Sequence, residues 1–188
     1  PIDLTDEASL ANAVDVAAQS GEIRLVIDAT GFLHGQGMAP EKTWRALDAD
    51  QLAHAFAVNT IGPALLMKHM LPKLPRTGKA VFATLSARVG SIEDNRLGGW
   101  YSYRASKAAL NQIVRTAAIE LSRRAPDALC VALHPGTVAT PLSDSFAKAG
   151  LDVLTPAQSA QHLLSVIVQL DADATGGFFD WRGDQVPW

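Results

Sequence analysis

Cysteine is nearly absent from this chain: its 188 residues hold one, Cys130. No internal disulfide can form, and Cys130 sits in an apolar run where a thiol behaves as a small buried hydrophobe. That usage fits a reducing cytoplasm. Metal-ligand spacing is also missing. The five histidines, at 34, 54, 69, 134 and 162, form no such pattern, so no metal is expected. There is no basic block: 16 Lys and Arg face 19 Asp and Glu, for a net charge of −3. This balance argues against nucleic acid or an anionic membrane surface as a partner. No apolar run approaches the roughly eighteen residues of a membrane span. Repeats and low-complexity segments are absent too.

What remains is ordinary globular material. Hydrophobic residues make up 48% and charged residues 19%. The length suits a single domain spanning residues 1–188. Apolar runs at 23–27, 79–85, 129–133 and 177–181 read as strands, the first as expected of a strand buried on both faces of a parallel sheet. Helical periodicity occupies 6–19, 51–71, 102–124 and 155–170. Asp48 or Asp50 serves as cap of the second, and Thr155 with Pro156 opens the last. Residues 1–5 read as a further short strand ending in a helix cap. The alternation predicts an α/β fold: a doubly wound, Rossmann-like parallel sheet in three layers.

The stretch around Tyr103 and Lys107 organises the rest. The two lie four residues apart in a helical run, so they share a face. Tyr101 is six residues from Lys107 and points elsewhere. A phenol is a poor acid or base at neutral pH, and a nearby ammonium lowers its pKa. Such a pair suits general acid–base chemistry. Alone, a Tyr-x-x-x-Lys spacing is common by chance, and one amphipathic turn explains it equally. Three further features accompany it. Asn59 lies in a helix that Gly62-Pro63 should kink, where it either satisfies freed carbonyls or serves the site. Ser86 ends a strand, where open α/β sheets place ligands and where a turn residue is also common. Past the next strand comes His134-Pro135-Gly136-Thr137-Val138-Ala139-Thr140.

In that order these residues resemble the short-chain dehydrogenase/reductase family, over essentially the whole chain. The small C-factor-like members are the most similar, sharing Leu85-Ser86-Ala87-Arg88-Val89-Gly90 and the ending Phe178-Phe179-Asp180-Trp181 with Pro187-Trp188. The resemblance implies hydride transfer between NAD or NADP and a small carbonyl/alcohol substrate. Tyr103 would be the acid/base and Lys107 its partner and ribose ligand. Ser86 would hold the substrate oxygen, and Asn59 a water relay. It further implies cofactor contacts from Asp3 and Leu4 at the adenine (Asp3 is as readily a solvent-facing strand end), from Gly31, and from Pro135, Gly136, Val138 and Thr140 around the nicotinamide. Asp28 stands where the family has Asn and reads as mainly structural. The loop at 91–99 should border the substrate site, and the short 141–154 region implies an open one. The helices at 51–71 and 102–124 would build a homodimer or homotetramer. A non-catalytic signalling protein on the same fold is the alternative.

The family's T-G-x-x-x-G-x-G turn, which cradles pyrophosphate at a helix N-terminus, has no counterpart among the 14 glycines. The chain therefore reads as entering at the family's third strand, without the first βαβ portion. Two apolar strand edges should be left open. These 188 residues alone are expected to bind the nucleotide weakly or not at all and to turn over no carbonyl substrate, both recovering when a glycine-rich segment is restored.

Overall fold

The computed structural model describes residues 2–35, 37–143 and 152–188. Among them a four-stranded parallel sheet runs in the order β1 (Leu25–Asp28), β2 (Ala80–Leu85), β3 (Ala128–His134) and β6 (Phe178–Asp180). The short β4 (Thr137–Val138) and β5 (Val153–Leu154) form a separate parallel pair. The helices are α1 (Glu7–Gln19), α2 (Ala49–Phe56), α3 (Gly62–Met70), α4 (Tyr101–Arg124) and α5 (Pro156–Gln169). All four strands expected of the main sheet are present, parallel and in sequence order.

Strand alternation separates two cores. Ala80, Phe82, Ala128, Cys130 and Ala132 face a layer that includes Leu10 and Val14 of α1, Leu66 and Met70 of α3, and Leu110 and Val114 of α4. Val81, Ala83, Leu129, Val131 and Leu133 face the other way, onto Leu163, Val166 and Ile167 of α5. The result is three layers. Phe82 and Phe178 are fully buried, and each such side chain contributes about 1.5–3 kcal/mol of burial energy. β2 and β3 are buried almost throughout, whereas β1 lies at the sheet edge with Leu25 and Ile27 exposed.

Residues 2–5 form no strand: Leu4 and Thr5 are in a turn. Asp3 Oδ1 accepts the Thr5 N–H at 2.8 Å and the Thr5 hydroxyl at 2.7 Å, which draws the backbone into a local turn. The helix cap is Asp6, which accepts the Ala8 N–H. The long helix expected at 51–71 begins earlier and is interrupted. Asp48 caps α2, and a π-helical turn, Ala57–Ile61, joins it to α3. Pro63 cannot donate to the Asn59 carbonyl, and the Gly62 N–H reaches back instead to the Ala57 carbonyl. The expected kink is thus a widened turn. α5 carries a full capping box, with Thr155 and Gln158 each bonding the other's backbone.

α4 starts without a local cap. Trp100 is left-handed (φ 53°) and supplies no side-chain bond to the helix. Glu41, from the long segment after β1, takes over. Its Oε2 accepts the Ser102 N–H at 3.2 Å, its Oε1 accepts the Ser102 hydroxyl, and its carbonyl accepts the Trp100 N–H at 2.5 Å. A carboxylate at a helix N-terminus is favoured by the helix dipole. At the other end the Arg124 guanidinium donates to the carbonyls of Leu71, Pro72 and Leu74, locking α4 to the end of α3.

Candidate active site

The expected site residues collect at the carboxyl ends of β1, β2 and β3. Lys107 is buried on α4, and its Nζ donates to the Leu85 carbonyl at 2.8 Å, at the end of β2. A methyl group at Gly31 would lie 3.6 Å from Lys107 Nζ and 3.7 Å from Asn59 Oδ1. The glycine therefore marks the point where the segment after β1, the π turn and α4 meet. Tyr103 lies one turn before Lys107, whose ammonium sits 6.0 Å from the phenol ring centre. Ser86 follows β2, its own N–H donating to the Leu133 carbonyl at 2.8 Å.

Burial dominates the electrostatics. It lowers the Lys107 pKa to about 8, with Asp28 partly opposing. It raises the Tyr103 phenol to about 12. The lowered tyrosine pKa expected from the spacing is not found here. The ammonium is turned toward the Leu85 carbonyl, and loss of water around the phenol outweighs it. The site thus holds a protonated phenol beside a weakened but still charged ammonium at neutral pH.

Asn59 is fully buried and uses its whole amide. Oδ1 accepts the Phe32 N–H at 2.7 Å, while Nδ2 donates to the Phe32 carbonyl at 2.8 Å and to Ser106 Oγ at 3.0 Å. Of its two expected duties, satisfying carbonyls is visible, but the carbonyl is that of Phe32 rather than one beside the kink. Asp28 is also buried. It accepts the Thr84 hydroxyl at 2.7 Å and the Thr30 hydroxyl at 2.6 Å, a structural role that also places negative charge near Lys107.

An open pocket of about 700 Å³ lies beside Gly31, lined also by Asp3, Leu4, Thr30 and Val58. Asp3 and Leu4 therefore do face the same recess as Gly31. Beyond β3, Gly136 (φ 81°) passes so close to Trp181 that a methyl group would meet its ring at 2.9 Å. The Pro135 carbonyl accepts the Ser159 hydroxyl at 2.8 Å. Ser143 ties down the same loop, its hydroxyl donating to the Val138 carbonyl and its Oγ lying 3.4 Å from the Thr140 N–H. The short 141–154 region expected to leave the site open falls largely on 144–151, outside the described residues.

Sequence reasoning missed Asn111, Ser106, Glu41 and the tight seat of Gly90. Asn111 stands four residues after Lys107 and eight after Tyr103, so the repeat that identified the pair extends to it. Ser86 Oγ donates to Asn111 Oδ1 at 2.7 Å.

A Rossmann-like α/β domain with its polar side chains gathered at the carboxyl ends of parallel strands is the architecture in which open sheets bind ligands. Comparison with known proteins assigns the class. A family model described as enoyl-(acyl carrier protein) reductase matches residues 1–173. C-signal of Myxococcus xanthus is 38% identical over 149 residues, covering 77% of this chain and 85% of that protein. The 1-hydroxy-2-glutathionyl-2-methyl-3-butene dehydrogenase of Rhodococcus sp. (strain AD45) is 33% identical over 187 residues, covering 100% and 78%. Among solved structures, NADPH-bound carbonyl reductase from chicken fatty liver superposes with a TM-score of 0.86 at 29% identity, covering 100% of this chain and 76% of that one. The chain belongs to the short-chain dehydrogenase/reductase family of oxidoreductases. Among the described residues no helix is long and apolar enough to cross a membrane, and no group of three or more His, Cys, Asp and Glu could hold a metal ion.

Proposed function

We propose that this protein reduces a small-molecule carbonyl at the expense of NAD(P)H, with Tyr103 as the proton donor. The observation that carries the reading is the shared face of Tyr103 and buried Lys107, held at the end of β2 beside Ser86 and Asn59. Similarity to an NADPH-bound carbonyl reductase and to a named dehydrogenase supports it.

The residues present fit the nicotinamide–ribose part of such a cofactor. Lys107 spends one of its three protons on the Leu85 carbonyl, leaving two for ribose hydroxyls. Gly31 keeps the wall between Lys107 and the adjoining pocket free of a side chain. Asp3 and Leu4, which line the recess beside Gly31, are the groups proposed to meet an adenine, and the loop of Pro135, Gly136, Val138 and Thr140 is proposed to border a carboxamide. When bound, the reduced nicotinamide supplies the hydride. The protein's own residues do the rest. Ser86 donates a hydrogen bond to the carbonyl oxygen and stabilises its developing charge. Tyr103, still protonated at neutral pH, gives its proton to an alkoxide far more basic than itself. Lys107 holds positive charge beneath the phenolate that results, and Asn59 anchors the route by which the phenol is reprotonated.

Purified protein with the glycine-rich segment restored, assayed with NADPH and with NADH against a panel of ketones and aldehydes, tests the reading. Tyr103→Phe should lower kcat by about 10²–10⁴-fold and leave the Kd for NADPH nearly unchanged. Lys107→Ala should damage both. Mild and equal effects from the two changes reject the assignment. Similarity to C-signal favours a second reading, a non-catalytic signalling protein on this fold. Absence of NADPH binding in calorimetry, by this chain and also by a version with the glycine-rich segment restored, would select it. Helices α2 to α4 expose Ile61 and Ile119, and a homodimer or tetramer through this layer is part of the proposal. A sedimentation experiment showing only monomer at high concentration rejects that part.

A further inference from the structure

Ser86 is given the task of donating a proton to the substrate oxygen, yet in this structure its proton is already committed. A hydroxyl carries one proton, and Ser86 Oγ donates it to Asn111 Oδ1 at 2.7 Å. Both residues are buried, at 3% and 2% exposure. The other end of the same amide, Asn111 Nδ2, is buried with no hydrogen-bond partner. A buried donor left unmade is unfavourable and rare, more so than an under-used carbonyl. Two difficulties thus meet on one side chain: a donor with nothing to bond, and a serine with nothing left to give.

One motion removes both. The two ends of a side-chain amide are nearly the same size, and half a turn about the Cβ–Cγ bond exchanges them. With the amide turned, Asn111 Nδ2 donates to Ser86 Oγ. The orphaned donor is then satisfied, Ser86 becomes the acceptor, and its proton is free to point at the substrate. Accepting a hydrogen bond also polarises the hydroxyl and makes it the better donor. The geometry points to Asn111 as a positioning residue of the site: by presenting its N–H to Ser86, it frees and aims the serine proton at the carbonyl oxygen. Tyr103, Lys107 and Asn111 then form three successive rungs of one α4 face. The first donates the proton, the second holds the positive charge, and the third sets the polarity of the serine. This inference rests on the oxygen-binding role proposed for Ser86.

The test compares Ser86→Ala, Asn111→Leu, Asn111→Asp and the double variant S86A/N111L, each with the glycine-rich segment restored, using NADPH and a ketone that the otherwise unaltered protein reduces. Leucine removes donor and acceptor at similar volume. An ionised aspartate keeps the shape but can only accept, so it fixes the serine in the unproductive sense. Both changes at 111 should lower kcat roughly ten-fold or more, by analogy with loss of an oxyanion donor. The Kd for NADPH should stay within about two-fold of the original. In the Ser86→Ala background, Asn111→Leu should cost nothing further. Full kcat in Asn111→Asp overturns the inference. So does an equal loss from Asn111→Leu in both backgrounds, which marks a merely structural residue. If Ser86→Ala itself keeps full kcat, the role of Ser86 falls, and this inference with it. An impaired Ser86→Ala beside an intact Asn111→Asp ends the inference alone. A neutron structure of the NADPH-bound protein reads the amide without any turnover: Nδ2 facing Ser86 is expected, and Oδ1 facing it overturns the proposal.

Discussion

Replacing Gly90 with alanine tests how tightly the site is seated. Gly90 ends the 3₁₀ turn Arg88–Gly90, just past Ser86, and is buried against α4. An added methyl carbon would lie 2.8 Å from Lys107 Cβ, 3.0 Å from the Lys107 carbonyl carbon and 3.2 Å from the Ala108 nitrogen. Ordinary carbon–carbon contact needs about 3.5–4.0 Å, so the shortfall against Lys107 Cβ is about 0.7–1.2 Å. The opposing atoms are the helix itself, not the end of a flexible side chain. Neither partner is free to retreat. Lys107 is bonded to the Leu85 carbonyl, and Ser86, at the root of the turn, is bonded to Asn111 on the same helix. Overpacking of this kind costs about 1–3 kcal/mol. For a chain of this length, 2 kcal/mol lowers Tm by about 4–8 °C. Catalysis should suffer beyond the stability loss, because a shift of about 1 Å between reacting groups costs up to about a hundred-fold. Thermal melts read the first effect and steady-state kinetics the second. A variant that melts within a degree of the original with unchanged kcat would refute the argument, since it would show that the turn and α4 can part without consequence.

Two further outcomes follow from buried charge. Burial lowers His134 from 6.5 to about 4, Arg88 adds to this and Asp180 opposes it. The unfolded chain therefore binds this proton first, so the stability is present above about pH 6.5 and lost as pH falls toward 4. At about pH 5 the loss is about 2 kcal/mol. His134→Gln should flatten that limb in urea melts compared at about pH 7 and 5, and an unchanged difference would contradict the assignment. Asp28→Asn removes the carboxylate that supports the Lys107 charge and weakens one of two hydroxyl bonds, from Thr84 or Thr30. It should lower stability by about 1–3 kcal/mol and move the Lys107-dependent alkaline limb of kcat/KM to lower pH. A limb left in place would show that Asp28 is only structural.

The strands and the order of the site residues were legible because continuous apolar runs and one-face spacing are local signals. Residues 2–5 misled because the Asp3–Thr5 turn outweighs an apolar pattern that has no strand beside it. The π turn was invisible as such, since the apolar periodicity continues through it and only Gly62-Pro63 hinted at a break. The N-terminus of α4 was beyond reach: its cap, Glu41, lies 61 residues upstream of Ser102. Asn111 looked like one more polar residue inside a helix, because its partner is a serine on another element. The direction of the tyrosine pKa was misjudged for a similar reason. Spacing reports that an ammonium is near, but only the fold reports how much water has been removed.

The π turn at Ala57–Ile61 also bears on descent. A π turn is one residue wider than an α turn, and inside a continuous helix it absorbs that residue without reorienting the flanks. A relative one residue shorter between positions 49 and 70 could run a plain α-helix here. Its Leu66, Met67 and Met70 counterparts would keep their core seats, and its Asp48 counterpart would still cap the start. What such a relative would lose is the placement of residue 59, whose amide here bonds Phe32 and Ser106 at once. A single-residue gap in this helix should therefore track a changed site in a fold of unchanged architecture. Comparing lengths across this one stretch would sort kin that keep the Asn59 arrangement from kin that keep only the architecture.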